Sequence, residues 1–98
     1  MKYPIIIRSQ AKKEIETAYH WYEERRTGLG EDFSLCVEEV IEKISRSPHL
    51  YPTVYKNIRR ALVRRFPYSI FYIKHENRIV VLAVFHEKRD PKEWQKRT

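Results

Sequence analysis

Residues 79–85 read Ile-Val-Val-Leu-Ala-Val-Phe and form the longest unbroken apolar run in the chain. Side chains along a β-strand point alternately to the two faces of its sheet, so a strand that is apolar at every position is buried on both faces. We therefore predict that residues 78–86 form a strand inside a sheet whose two faces are both covered.

Two further strands are predicted to precede this run. Residues 57–66 and 68–74 are rich in β-branched and aromatic side chains, and only Pro67 and Glu76-Asn77 separate the three segments. Connections this short join strands that run antiparallel to each other. The second half of the chain is thus predicted to form three antiparallel strands.

The first half of the chain predicts one strand and two helices. Residues 3–8 form a short β-branched strand, and Ser9 is expected to cap the helix that follows. From residue 11 to about residue 26, and again over residues 33–44, apolar side chains recur at spacings of three and four, which is the helical period. Gly28-Leu29-Gly30 interrupts the pattern, so the two helices are expected to form an antiparallel hairpin.

These segments define a small α+β fold of β-α-α-β-β-β order, with an antiparallel sheet packed against a helical hairpin. A chain of 98 residues forms one hydrophobic core, so we expect a single domain over residues 1–98. The hairpin covers only one face of the sheet, and another segment must shield part of the second face. Residues 90–98 are predicted to form a helical turn that packs Trp94 back onto the sheet.

Composition restricts the class of protein. A hydrophobic fraction of 42% is too high for a disordered chain, and the single cysteine, Cys36, indicates a reducing compartment. No apolar run approaches the ~20 residues that a membrane helix needs, and the N-terminus does not resemble a signal peptide. His20, His49 and His75 lie in three different elements without metal-ligand spacing. We predict a cytoplasmic protein that needs no membrane, metal or cofactor.

The formal net charge of +7 is concentrated in one part of the chain. Residues 43–75 contain 8 basic residues and no acid, and Arg59-Arg60 and Arg64-Arg65 flank the apolar residues 61–63. Arginine is the side chain suited to planar, bidentate contacts with phosphate or carboxylate groups. This stretch predicts an anionic partner, although a solvated basic face that keeps the protein soluble is the alternative.

Several short motifs also occur in a fixed order along the chain. They are Gly28-Leu29-Gly30, Phe33, Pro48, Arg59-Arg60, Val63, residues 66–72, residues 82–91 and Trp94. In this order and spacing the chain resembles the RelE/ParE superfamily of type II toxins, and its ParE branch in particular, over nearly the whole length. The resemblance implies a growth-inhibiting toxin of the plasmid-stabilisation type, silenced by an acidic antitoxin encoded beside it.

Two cellular targets are implied by the superfamily. ParE-like members with a known target act on DNA gyrase, whereas RelE-like members cut messenger RNA in the ribosomal A site. Of the residues that RNase members use, Arg60 lies near one basic strand position and Arg89 matches the basic residue after the last strand. Leu62 and Ser69 stand where further basic residues are expected, and Gln95 stands where a catalytic tyrosine would be needed. The resemblance therefore favours a gyrase-binding toxin without chemistry of its own, and no catalytic residue is assigned.

A ribosome-dependent mRNA endonuclease is the alternative, with Arg60, Arg65, His86 and Arg89 as its catalytic residues. A histidine at the end of the last strand has the chemistry of a general acid or base, but it can equally bond a backbone group. A plain nucleic-acid-binding module would explain the charge and leave the motifs unused. The residues expected to contact the target or the antitoxin are Arg59, Arg60, Arg64, Arg65, Tyr68, Tyr72, Arg89 and Trp94. The antitoxin is expected to neutralise the four strand arginines and to lay apolar side chains on the sheet face that the helices leave bare.

Overall fold

The fold is a five-stranded sheet with a helical hairpin on one face and a short C-terminal helix on the other. The computed structural model describes residues 2–97, so the predicted domain limits at Met1 and Thr98 lie outside the described residues. The elements are β1 (Ile5–Ile7), α1 (Ser9–Arg25), α2 (Leu29–Arg46), a 3₁₀ turn (Pro48–Leu50), β2 (Thr53–Tyr55), β3 (Ile58–Leu62), β4 (Tyr68–His75), β5 (Arg78–His86) and α3 (Pro91–Gln95). The strand order is β1-β5-β4-β3-β2, which confirms the α+β class.

The sheet differs from the prediction at its two edges. β1 pairs in parallel with β5, with Ile5 opposite Ile79, so the sheet is mixed although its other pairs are antiparallel. A long helical connection follows β1, and such a connection permits parallel pairing, which a short turn does not. At the other edge, β2 pairs with β3, and the sequence predicted no strand there.

Two glycines shape the helical hairpin as predicted. Gly28 has a φ of +91°, a left-handed conformation that glycine adopts without strain, and α2 begins directly after it. The Glu23 carboxylate, in the last turns of α1, accepts the N–H groups of Gly28 and Gly30 at 3.0 Å each. A side chain of α1 thus supplies the acceptor that the first turn of α2 lacks.

The predicted cap at Ser9 is wrong. α1 already includes Ser9, and Arg8 occupies the cap position with no side-chain hydrogen bond there. The N–H of Arg8 donates to the carbonyl of Val81 in β5 at 3.1 Å. Because this bond holds Arg8 in an extended conformation against the sheet, the chain can turn into the helix immediately afterwards.

Strand β5 is buried on both faces, as its apolar run predicted. Phe71 lies opposite Ala83 while the next residue, Tyr72, lies opposite Val81, so Leu82 is an extra residue that forms a β-bulge. The bulge shifts which side chains face the hairpin. Val81 and Val84, three residues apart, would point to opposite faces of a regular strand, but both join the core under the helical hairpin. Leu82 and Ala83 join the second core on the other face, together with Ile58, Phe71, Phe85 and Trp94.

Helix α3 covers the second face, which confirms the predicted packing of the tail. The Trp94 side chain is only 7% exposed and stacks on Phe71 with ring centroids 4.2 Å apart. Asp90 caps the helix by accepting the N–H of Lys92 at 2.9 Å, and Pro91 occupies the first helical position. A helix of five residues thereby closes the core that the hairpin cannot reach.

A buried tyrosine gives the first test of this core. Tyr72 is wholly buried, and its hydroxyl donates to the carbonyl of Pro48 at 2.7 Å, which ties the end of α2 to the sheet. Burial raises the pKa of Tyr72 to about 12, although the nearby Arg59 guanidinium opposes the rise.

We expect Tyr72→Phe to lower the free energy of unfolding by about 1–3 kcal/mol near pH 7, because the Pro48 carbonyl loses its buried partner. In the wild type the folded pKa exceeds the unfolded value of 10.0. The Tyr72 hydroxyl therefore contributes its full stabilisation of the folded state below pH 10. As the pH rises towards 12, its contribution to the free energy of unfolding falls by on the order of 2 kcal/mol. Urea denaturation from pH 7 to 12 should show a steeper alkaline decline for the wild type. Parallel declines in the two proteins would contradict the assignment.

Candidate functional site

The two arginines of β3 lie on opposite faces of the sheet. Arg59 is on the helical side, half-buried, and its Nη1 donates to the carbonyl of Tyr51 at 2.5 Å. Its role is therefore structural, since it fixes the segment that leads into β2. Arg60 is on the α3 side and is exposed, and its guanidinium has no hydrogen-bond or ion-pair partner among residues 2–97.

Arg64 and Arg65 follow β3 and face acidic residues of α2. Arg64 pairs with Glu39 at 3.1 Å and Arg65 with Asp32 at 3.8 Å, and all four side chains are well exposed. The basic stretch therefore receives partial neutralisation from acids that are distant in sequence. Exposed pairs of this kind contribute about 0–1 kcal/mol, so the carboxylates of a partner can replace Glu39 and Asp32 at little cost.

Two of the predicted contact residues are core residues instead. Tyr72 is wholly buried, and Trp94 is stacked under the end of α3 against Phe71. The prediction that they face a partner is wrong, because the alternation along β4 and the tail helix both direct these rings inward. Tyr68 is half-buried at the rim, and its ring meets the His86 imidazole edge-on at 5.2 Å. Burial raises the pKa of Tyr68, and the Arg89 charge partly opposes this rise.

Three of the four side chains named for an RNase line one small cavity. Arg60, His86 and Arg89 surround a volume of about 120 Å³ whose apolar walls include Phe71, Phe85 and Trp94. Ser69 also lines it, on the strand position where a basic residue was expected. Arg65 lies elsewhere, beside Asp32 of α2.

Of the two arginines that line this cavity, Arg89 is held in a way that limits its chemistry. The Arg89 guanidinium lies 3.6 Å from the centre of the Phe85 ring and pairs with Glu93 at 2.7 Å and Glu14 at 3.5 Å. Stabilising a developing phosphorane requires cations aimed at the reacting group. Arg89 is instead neutralised by the protein's own carboxylates.

The tautomer of His86 follows from one hydrogen bond. Its Nδ1 accepts the backbone N–H of Lys88 at 3.1 Å, so the proton of the neutral ring resides on Nε2. The lone pair that a general base would use is engaged, and protonation of Nδ1 would break the bond to Lys88. In this arrangement His86 is a hydrogen-bond donor through Nε2 and a structural acceptor through Nδ1.

A groove that sequence reasoning missed lies between α1 and the ends of β4 and β5. It consists of two adjoining cavities of about 320 and 520 Å³ that share Thr17, Ala18, Tyr68 and His86. The groove continues past Trp21 and Tyr22 at one end and past Lys13 and Arg89 at the other. The signal available in the sequence is Trp21, a large apolar residue off the core stripe of α1, which is 49% exposed in the structure.

Two further features concern membranes and metals. Within residues 2–97, no helix has the length and apolar character needed to span a bilayer. No three His, Cys, Asp or Glu side chains in this range come together in an arrangement that would hold a metal ion. Cys36 is buried in the core face of α2.

Comparisons with known proteins agree with this fold. The chain belongs to the family described as ParE toxin of type II toxin-antitoxin system, parDE, which it matches over residues 5–91. Among solved structures, it is similar to a chain described as "Chromosomal ParDE TA system from P. aeruginosa", with a TM-score of 0.65 and 14% sequence identity. That match covers 87% of this chain and 96% of the other. No curated protein sequence matches the chain. The protein is thus a type II toxin of the ParE family, which confirms the resemblance.

Proposed function

We propose that this toxin stops growth by binding DNA gyrase in the cytoplasm and that it performs no chemistry on RNA. The observation that carries the proposal is that Arg89 and His86, the two side chains best placed for catalysis, are both engaged by other groups of the protein. Arg89 is paired with Glu93 and stacked on Phe85, and the Nδ1 of His86 is occupied by the amide of Lys88. The resemblance to ParE-like toxins supplies the target, and the exposed Arg60 supplies a contact candidate.

An acidic antitoxin encoded beside the gene is proposed to silence the toxin. Arg64 and Arg65 support this part, because their exposed pairs with Glu39 and Asp32 can be exchanged for pairs with a partner. The alternative function is cleavage of messenger RNA in the ribosome. The observation in its favour is the cavity that brings Arg60, His86 and Arg89 together.

The two functions are separated by assays on purified toxin. We expect loss of gyrase supercoiling, or trapping of gyrase-cleaved DNA, while messenger in programmed ribosomes stays intact. Messenger should stay intact because Leu62, Ser69 and Gln95 stand where RNase members are expected to carry catalytic residues. Loss of one donor to a developing oxyanion typically slows catalysis ~10²–10³-fold. The reverse outcome, cut messenger with unaffected gyrase, would make the RNase alternative correct.

His86→Gln provides the variant for the same comparison. Glutamine can accept the Lys88 amide, but it has no group that titrates near neutral pH. If the toxin acts by binding gyrase, we expect His86→Gln to inhibit growth within about threefold of wild type. An RNase that used His86 would instead lose its activity. The melting temperature of the variant serves as the control for folding. A folded variant that no longer inhibits growth would argue against the binding function.

A further inference from the structure

The sheet face opposite the hairpin is closed under α3 and open along β3. A core that includes Trp94 fills the part under α3, so this face is not bare as the sequence led us to expect. Arg60 lines the small cavity on this face, and Leu62 lies opposite Ser69 of β4, which lines the same cavity. Side chains that lie opposite each other in an antiparallel pair share a face, so Leu62 stands beside the cavity. We call Arg60, Leu62 and Ser69 the cavity patch.

Ser69 carries a hydroxyl that the protein leaves without a partner. The residue is only 4% exposed, and its side-chain oxygen makes no hydrogen bond to any other group of residues 2–97. In this part of the chain every side-chain nitrogen or oxygen that is wholly enclosed has a partner, so the Ser69 Oγ must open into the cavity that the residue lines. Because a buried hydroxyl without a partner costs free energy, a ligand atom that enters the cavity and bonds to it is stabilised.

Arg60 is the cation of this cavity that is free to bind an anion. The second arginine of the cavity, Arg89, already pairs with two carboxylates of the protein. The ring of His86 packs edge-on against Tyr68, which belongs to the hairpin side of the sheet. Glu87 stands exposed on the rim without an ion-pair partner in residues 2–97, and its charge disfavours a second anion. The cavity therefore suits a ligand with a single negative charge.

The cavity patch fits a protein partner better than a nucleic acid. One guanidinium and one hydroxyl match the two oxygens of a single carboxylate, and the cavity of about 120 Å³ has room for that group. A nucleic-acid strand presents successive phosphates and needs several cations. The aromatic walls Phe71, Phe85 and Trp94 are buried, so they offer no exposed ring on which a base can stack. Leu62 is 65% exposed, and an apolar side chain of a protein can cover it.

We propose that the cavity patch is the surface by which the toxin binds DNA gyrase. An aspartate or glutamate of gyrase enters the cavity, where its carboxylate accepts hydrogen bonds from the Arg60 guanidinium and the Ser69 hydroxyl. An apolar side chain of gyrase beside that carboxylate packs on Leu62. This inference rests on the proposed gyrase target, and it adds the face of the toxin that meets gyrase and the chemistry of the contact.

The test measures binding of the full-length toxin to purified gyrase without DNA. Arg60→Glu reverses the free charge at the cavity, and Ser69→Ala removes the hydroxyl without adding volume. Arg78→Glu is the matched control for charge, because Arg78 is also exposed and makes no hydrogen bond or ion pair within residues 2–97. It begins β5, at the opposite end of that strand from His86, and it does not line the cavity. Melting curves establish that the three variants fold.

We expect Arg60→Glu to weaken gyrase binding by about 30-fold or more, because the carboxylate of gyrase then faces another carboxylate. Ser69→Ala should weaken it by about 3- to 10-fold, the loss of one hydrogen bond. Arg78→Glu should stay within about twofold of wild type. Wild-type binding with equal affinities for Arg60→Glu and Arg78→Glu would overturn the cavity patch and leave the gyrase target standing.

Two further outcomes would also overturn the proposal. If the cavity variants lose binding to duplex DNA or to a messenger fragment while gyrase binding is unchanged, the cavity holds a phosphate. If they lose binding only to the purified product of the adjacent reading frame, the cavity patch belongs to the antitoxin. Gyrase that neither binds wild-type toxin nor loses supercoiling activity in its presence would instead refute the gyrase target itself.

Discussion

Replacing Glu14 with glutamine should lower the free energy of unfolding by about 2–4 kcal/mol, the largest effect that we expect of any polar substitution. Oε1 of Glu14 accepts both the Arg97 Nη1 and the N–H of Val84 at 3.0 Å, and Oε2 accepts Nη2 at 2.8 Å. The two side chains are only 13% and 15% exposed. The amide of glutamine cannot accept at both positions, and it leaves the Arg97 charge half-buried over the Phe85 ring without a counterion.

The matched control is Glu93→Gln. Glu93 also pairs with an arginine, Arg89 at 2.7 Å, but those side chains are 50% and 40% exposed. We expect a change of about 0–1 kcal/mol for this exposed pair. Urea denaturation of the two variants at pH 7 measures the difference directly. Equal losses would show that burial does not strengthen the Glu14 pair. A double variant, Glu14→Gln with Arg97→Met, should recover part of the loss because no charge remains unpaired.

Gly30→Ala should destabilise the protein by about 2–3 kcal/mol, which is the cost of an extra carbon in a closely packed site. A Cβ atom at Gly30 would lie 2.6 Å from the carbonyl oxygen of Tyr19 and 2.9 Å from Oε1 of Glu23. The first of these atoms belongs to the backbone of α1, so it moves only if the two helices separate. The second is the carboxylate that caps α2, so the substitution also disturbs that cap.

The control is Gly28→Ala, two residues before Gly30, because it introduces backbone strain without crowding. A Cβ atom at Gly28 meets nothing within 4 Å, but the φ of +91° disfavours any L-residue there. We expect a loss of about 1 kcal/mol, from conformation alone. For a domain of this size each kcal/mol lowers the melting temperature by roughly 4–8 °C, so calorimetry resolves the two variants. A larger shift for Gly28→Ala than for Gly30→Ala would contradict the close approach of the helices.

The elements with strong periodicity could be predicted from the sequence. Helices α1 and α2, their glycine break and strand β5 depend on local patterns of apolar residues, and these patterns coincide with the structure. The parallel pairing of β1 could not be predicted in this way. It depends on the edge of β5 that β4 leaves unpaired, and this edge lies far from Ile5–Ile7 in sequence. Strand β2 likewise pairs with the edge of β3 that β4 leaves open.

The candidate site was predicted less completely than the fold. The sequence identified the basic residues, but it could not show that acids of α2 lie opposite Arg64 and Arg65. Tyr72 carries the same side chain as the half-exposed Tyr68 four residues earlier, and its burial depends on contacts with residues distant in sequence, among them the Pro48 carbonyl that accepts its hydroxyl. The groove between α1 and the ends of β4 and β5 lies between elements that are far apart in sequence, so the local pattern offers only Trp21, off the core stripe of α1, as a signal.

The pairing of β1 with the last strand has a consequence for how the chain leaves the ribosome. Ile5 needs Ile79, and Glu14 needs Arg97, which lies 83 residues later. The helical hairpin is therefore synthesised first, and the complete sheet cannot cover its apolar stripe until residues 78–86 have been made. Contacts so distant in sequence form late in folding. The completed sheet forms only once residues 78–97 have left the ribosome, so a partner synthesised earlier can be waiting when the toxin first becomes folded.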